Sequence, residues 1–213
     1  MSFSNHLRKL AQPVWDAQLT HPFVVALGKG TLAERKFRYY ILQDARFLAD
    51  LARVFAAGSL RAPDSESALR FAKLAEETIT VERSLHENYG KRWKLSPHDM
   101  LNEPLAPTNH AYTRHMLAVA QGGTATEIAV VALPCAWIYC VVGKHFLKNG
   151  PPPAKHPYRD WLMLYASPEF EAVQEWMRAR VDTWARTAGH EEKKRMEQAF
   201  LISSKYEWMF WEM

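Results

Sequence analysis

Apolar residues recur along this chain at three- and four-residue intervals almost from end to end, the period of helices packed by one face. No segment shows a convincing strand alternation. Leu7, Leu10, Val14 and Trp15 predict a first helix over about residues 5–19. His21-Pro22-Phe23 begins a short helical segment that ends at Gly28-Lys29-Gly30. Thr31 and Glu34 have capping-box spacing and predict a helix to about residue 57, with Phe37, Tyr40/Ile41, Phe47/Leu48, Leu51 and Val54/Phe55 as its stripe. Over 64–89, Leu69, Ala72, Ala75, Ile79, Glu82, His86 and Tyr89 track one face, and Gly90 reads as the stop. A loop over 96–107 leads to a helix over about 108–121 with Tyr112, Met116 and Val119 on one face.

The longest apolar segment, 124–150, dominates the pattern. Thr124 and Glu127 form a second capping box, and Asn149-Gly150 followed by three prolines forms the stop. Between them lies a helix of roughly 24 residues, about 36 Å long. It is apolar nearly all round, so it is expected at the centre, covered by other helices. Its uninterrupted apolar run, 128–142, falls short of the ~18 residues of a membrane span, and Pro134 lies inside it. Beyond it, His156-Pro157 starts a short helix ending near 165–166. Ser167-Pro168-Glu169 opens another to about 186, with Phe170, Val173, Met177, Val181 and Trp184 inward. The last helix starts at His190, and Met196, Ala199/Phe200, Ser203, Tyr206 and Phe210 form its stripe. The expectation is a single all-α domain over 1–213, a helical bundle around one central buried helix.

Three residues depart from simple packing. Asp44 falls on the inward face of its helix, where an ionised carboxylate needs a partner. Glu207 falls among Tyr206, Phe210 and Trp211, where desolvation is expected to raise its pKa and make it a proton donor near neutrality. Cys135 shares a face with Tyr139, four residues on, and Pro134 bends the axis beside it. A buried cysteine is ordinarily a small hydrophobe, and Cys140 reads the same way. A thiol, two inward carboxylates and a set of aromatics are nonetheless the parts of a covalent-catalysis site for a flat substrate.

Composition narrows the classes. The 213 residues are 48% hydrophobic and 23% charged, with a net charge of +4, which is globular and mildly basic. Lys and Arg alternate with Glu, as in 190–197, and make no dense patch with stacking aromatics, so nucleic acid is not an expected partner. The two cysteines lie five apart in one helix, point apart and cannot bridge each other. With no signal-like N-terminus, that usage predicts a cytoplasmic protein and no membrane partner.

Several motifs in order carry a resemblance: His21-Pro22-Phe23, Tyr40-x-x-Gln43-Asp44-x-x-Phe47-Leu48, Pro134-Cys135-x-Trp137-x-Tyr139-x-x-x-Gly143, Tyr165-Ala166-Ser167, and Ser203-x-x-Tyr206-Glu207-x-x-Phe210-Trp211. Each alone is weak, but in this order, from about 21 to 212, the chain resembles the TenA family, the thiaminase II or aminopyrimidine aminohydrolase group. The resemblance implies a heme-oxygenase-like helical fold, a homotetramer, and no bound haem, metal or other cofactor. It implies a hydrolase of thiamin salvage that converts thiamin or aminomethylpyrimidine degradation products to hydroxymethylpyrimidine. Carried onto this chain, Cys135 is the implied nucleophile and Glu207 the implied proton carrier. Asp44 is implied to hold the aminopyrimidine edge, Tyr139 to assist polar contacts, and Phe47, Tyr112 and Tyr165 to sandwich the ring. Family members commonly have Tyr where this chain has Phe47, so stacking survives and that hydroxyl is lost.

The rival is a metal- or haem-binding protein on a similar helical scaffold, with Glu82 and His86 joined by His110, His115 or His145. The Glu-x-x-His pairs of di-iron bundles are absent. A regulatory role gains nothing from a chain without a basic recognition helix.

Overall fold

The computed structural model describes the backbone over residues 1–213 and all side chains except those of residues 81–87, 97 and 101. It is all-α, with no strand among the described residues. The chain forms two compact units, one of residues 1–32 and 129–212 and one of residues 33–128 with Met213. The first contains α1 (Phe3–Leu10), α2 (Gln12–Thr20) and α3 (Pro22–Gly28). The second contains α4 (Glu34–Arg61), α5 (Ser65–Trp93), α6 (Pro97–Leu101) and α7 (Pro107–Gly122). Helix α8 (Ala125–Leu147) starts in the second and continues in the first, which is completed by α9 (Arg159–Tyr165), α10 (Pro168–Trp184) and α11 (His190–Trp211).

The start of α8 is as its sequence dictates. Glu127 Oε2 accepts from the Thr124 N–H at 2.8 Å, and Thr124 Oγ1 accepts from the Glu127 N–H at 3.2 Å. By length and mean hydropathy (1.9) α8 could cross a membrane, but 83% of that apolar window is buried inside the protein. Ile128, Ala129, Val130, Val131 and Leu133 have no solvent exposure. At its far end Gly150 takes φ +104°, a left-handed backbone suited to glycine.

Four boundaries differ from the sequence reading. The expected 5–19 helix breaks at Ala11, and Pro13, in the first turn of α2, has the fixed φ suited to that position. Thr31 does not cap α4. Its hydroxyl reaches back to the Ala26 carbonyl at 3.4 Å, Ala33 is the N-cap, and Glu34 instead accepts from Trp93 Nε1 at 2.9 Å. Helix α5 runs through Gly90 and stops at Lys94, which takes φ 56°. The loop over 96–107 contains α6, started by a reciprocal Ser96–Asp99 capping box.

The face of α5 also differs. Leu69 is 72% exposed and Ile79 49% exposed, while Ser67, Phe71, Leu74 and Thr78 are buried. Both faces carry apolar residues at helical spacing, so periodicity could not choose. Gly58 of α4 chooses: a Cβ there would stand 2.8 Å from the Phe71 ring. The notch admits Phe71 and turns Leu69 outward.

Gly143 makes a comparable close approach in the first unit. A Cβ at Gly143 would lie 2.7 Å from Ala166 N and 2.7 Å from the Tyr165 carbonyl carbon, both backbone atoms that cannot swing aside. Gly143→Ala is therefore expected to lower the unfolding free energy by about 1–3 kcal/mol. A urea unfolding curve with an unmoved midpoint would show that α8 and the end of α9 are not so close.

Candidate functional site

The first unit holds Cys135 and Tyr139 on α8, Tyr165 at the end of α9, and Glu207 on α11. Ser203 and Glu207 stand one turn apart on α11, as Val131 and Cys135 do on α8. The Ser203 hydroxyl donates to the Val131 carbonyl at 2.8 Å, and the Tyr139 and Trp211 rings lie 5.1 Å apart. Residue 131 therefore meets 203, and 139 meets 211, with the same sequence offset. The two helices run parallel in register, which sets Cys135 level with Glu207, midway between two observed contacts.

Pro134 matters here. It has no N–H to give the Val130 carbonyl, so the helix ladder is interrupted one turn before Cys135. The Ser203 bond to the adjacent carbonyl ties this weakened turn to α11. Glu207 is 2% exposed and Cys135 is half-buried.

The aromatic surround is continuous. Tyr139 and Tyr165 meet edge-on at 4.8 Å, and Trp161 stands 4.5 Å from Tyr165. Trp211 is itself held. Its Nε1–H donates to Gln18 Oε1 at 2.6 Å, and its ring stacks on Phe23 at 5.6 Å. The His21-Pro22-Phe23 motif supports this arrangement. His21 Nδ1 accepts the Phe23 N–H at 3.1 Å, so Nε2 carries the ring proton and donates to Glu212 Oε1 at 2.7 Å. Trp15 anchors the same helix through a 3.0 Å bond from Nε1 to Ser204 Oγ.

Cys140 belongs elsewhere. It is buried, and burial pushes its thiol up, with Lys144 opposing and Glu171 and Glu175 adding to the rise. It stays protonated at neutral pH, and a thiol in that state is a poor nucleophile.

The second unit holds Asp44, Phe47 and Tyr112. Asp44 is 4% exposed, and the Phe47 and Tyr112 rings lie 5.0 Å apart at 38°. Gln43, beside Asp44, is fully buried and takes four hydrogen bonds. Its Nε2–H donates to the Pro104 carbonyl at 2.8 Å, and its Oε1 accepts from the Ala106 N–H at 2.9 Å. Asn109 Nδ2 donates to Oε1 at 3.0 Å and to the Gln43 main-chain carbonyl at 2.7 Å. Further along α4, buried Asp50 accepts from Arg53 at 2.5 Å and from Arg114 of α7.

The structure thus brings Tyr139 to Tyr165 and Phe47 to Tyr112, and places Cys135 level with Glu207. Sequence reasoning missed Gln43, Asn109, Asp50 and Ser203 as structural partners. Asp50 and Asn109 carried a signal, being polar residues at inward helical positions. Of the rival ligands, Glu82 and His86 lie outside the described residues. Among those described, no group of three His, Cys, Asp or Glu side chains is placed to hold a metal ion.

Comparison with known proteins gives consistent matches. Residues 8–213 match the TENA/THI-4/PQQC family. An aminopyrimidine aminohydrolase of Halalkalibacterium halodurans is 39% identical over all of this chain and 95% of its own length. One of Bacillus subtilis is 34% identical over all of this chain and 89% of its own. The solved TenA homologue of P. horikoshii superposes with a TM-score of 0.89 at 32% identity, covering 100% of this chain and 98% of that one. A Shewanella denitrificans domain with a heme oxygenase-like fold, 12% identical with a TM-score of 0.75 and covering 100% of this chain and 91% of that one, shares the architecture.

Deleting the Ser203 hydroxyl tests the register. Ser203→Ala is expected to lower the unfolding free energy by about 1 kcal/mol, read from the urea midpoint at unchanged slope. An unchanged midpoint would mean that this bond does not hold α11 on α8.

Proposed function

Because this chain belongs to the TENA/THI-4/PQQC family, we propose that it is an aminopyrimidine aminohydrolase of thiamin salvage. It cleaves thiamin or aminomethylpyrimidine degradation products to hydroxymethylpyrimidine. Whole-chain identity to proteins of that name supports the activity. The observation that carries it to particular residues is the parallel register of α8 and α11, with Cys135 level with Glu207.

In this reading the Cys135 sulfur adds to a ring carbon as Glu207 carries the thiol proton to the ring nitrogen that receives the displaced electron pair. Those electrons return as Glu207 takes the proton back from the ring nitrogen, and they expel the thiazole, or ammonia once that proton has passed to the amine, from the exocyclic methylene. Water adds to that methylene, its proton passes to Glu207, and the thiolate leaves as the ring regains aromaticity. The net change is a C–N bond and water exchanged for an alcohol and an amine. Asp44 accepts a hydrogen bond from the ring amine. Phe47, Tyr112 and Tyr165 offer aromatic faces, and Tyr139 adds a polar contact. The protein works in the cytoplasm, a reducing compartment that suits its two free cysteines, as a homotetramer without nucleic-acid or membrane partners.

Cys135→Ser is expected to reduce turnover below about 1% of wild type with the helical circular dichroism unchanged, because a hydroxyl is a far poorer nucleophile at neutral pH. Cys140→Ser should keep its activity, since its side chain lies about 140° around the helix from Cys135. Retained activity in the first variant, or loss in the second instead, overturns the assignment.

Asp44 decides whether the site is built for an aminopyrimidine. A buried carboxylate left without its amine partner rejects an analogue lacking that group by about 10⁴-fold. Asp44→Asn is expected to weaken the amine-bearing substrate sharply and to shrink this discrimination. Measuring kcat/KM for the amine-bearing and deaminated compounds with both proteins tests it, and an undiminished preference sinks the recognition role.

A further inference from the structure

The buried amides of Gln43 and Asn109 have only one consistent orientation. The Ala106 N–H can only donate, so the Gln43 atom it meets at 2.9 Å is the oxygen. The Pro104 carbonyl can only accept, so the atom facing it at 2.8 Å is the nitrogen. With Gln43 fixed, the Asn109 atom that touches both Gln43 oxygens must be its NH2 group. No flip relieves what remains. Asn109 Oδ1 is buried with no hydrogen-bond partner among the described residues, in a side chain with no solvent exposure.

Leaving a buried oxygen unpaired is costly, and native chains retain few such atoms. An apolar pair of similar shape would join α4 to α7 without it. What the amides add is a bond to one peptide unit. The Gln43 carbonyl belongs to the peptide that carries the Asp44 nitrogen. Within α4 it also faces the Phe47 N–H, four residues on. Asn109 thus grips the turn of α4 that presents Asp44 and Phe47. Tyr112, one turn further along α7, lies against Phe47 at 5.0 Å. Gln43 also takes up the Ala106 N–H, one of the unpaired donors at the start of α7. The start of α7 and the Asp44 turn are one hydrogen-bonded piece.

We propose that Asn109, acting through Gln43, is a positioning residue for substrate. It fixes the bearing of the Asp44 turn and of the Phe47–Tyr112 aromatic pair. This inference rests on the aminopyrimidine reading given above. Asn109 touches none of the reacting atoms, so its loss acts on binding and discrimination more than on the chemical step.

The test replaces Asn109 by Leu, of similar volume and without polar atoms, and measures steady-state kinetics on an aminomethylpyrimidine and on its deaminated analogue. Phe71→Leu, a core substitution in the same unit remote from these amides, serves as the control for simple destabilisation. At a temperature where all proteins are folded by circular dichroism, Asn109→Leu is expected to raise KM about tenfold or more, to change kcat less than about threefold, and to reduce the preference for the amine. Phe71→Leu is expected to lower the melting temperature and leave KM and the preference in place. If Asn109→Leu lowers only the melting temperature, the residue is structural and the proposal is overturned. Should Asn109→Leu fail to fold, Asn109→Ser, which keeps one short donor, is judged by the same criteria. Wild-type protein that turns over no aminopyrimidine overturns both this inference and the hydrolase reading. Wild-type turnover with an unaltered Asn109→Leu overturns this inference alone.

Discussion

Everything in the first unit depends on satisfying one helix that has no polar face. From Ala129 to Leu133 the residues of α8 are almost entirely without solvent contact, so their backbone and side chains must be met by protein on all sides. Pro134, directly after that stretch, denies the buried Val130 carbonyl its ladder bond where water cannot replace it. Ser203 supplies a donor to the next carbonyl and so fixes α11 in height against α8. A buried hydrogen bond of this kind is directional, whereas apolar packing alone tolerates slippage. The position of Glu207 relative to Cys135 is thus set by a bond that neither residue makes.

The same logic explains why the aromatic residues of this unit are so heavily anchored. Trp211 is tied to Gln18, stacked on Phe23 and placed against Tyr139, while the neighbouring Glu212 holds His21. Indole rings offer a large apolar area with one donor that must be paired when buried. Each indole N–H that finds a partner converts loose hydrophobic contact into a defined geometry. Trp15 with Ser204 repeats the device two turns earlier on the same, α2-facing side of α11.

Much of this was legible in the sequence, and the reasons differ by residue. The all-helical architecture, the capping box at Thr124 and the stripe of α4 follow from local spacing, which the chain displays openly. The inward placement of Asp44 and Glu207 followed from the same spacing, since each interrupts an apolar stripe. The Thr31 cap failed because an earlier turn, at Ala26, competes for its hydroxyl. The buried face of α5 failed because Gly58, a residue on another helix, decides which apolar row is admitted. Gln43 was visible only as a motif position, because its function requires Pro104, Ala106 and Asn109 to be near it. Local signals name the elements, and only tertiary contacts choose among their faces.

The two clusters are built on different physical terms. In the first unit, Cys135 and Glu207 sit at matched heights on two long helices, so both side chains inherit the rigidity of helix packing. In the second, Asp44 is one residue from an amide network that leaves a buried oxygen unpaired. Natural sequences keep local violations of polar satisfaction mainly where function requires them. The covalent step proposed for this pair needs a sulfur and a proton donor at fixed separation, which a parallel register supplies along its whole length. In the proposed recognition, discrimination of an amine from a hydrogen needs a carboxylate that cannot turn away from the amine. Clamping the preceding peptide from a second helix prevents that turn more firmly than side-chain packing would, and the orphaned Asn109 oxygen is the strain the fold carries in return.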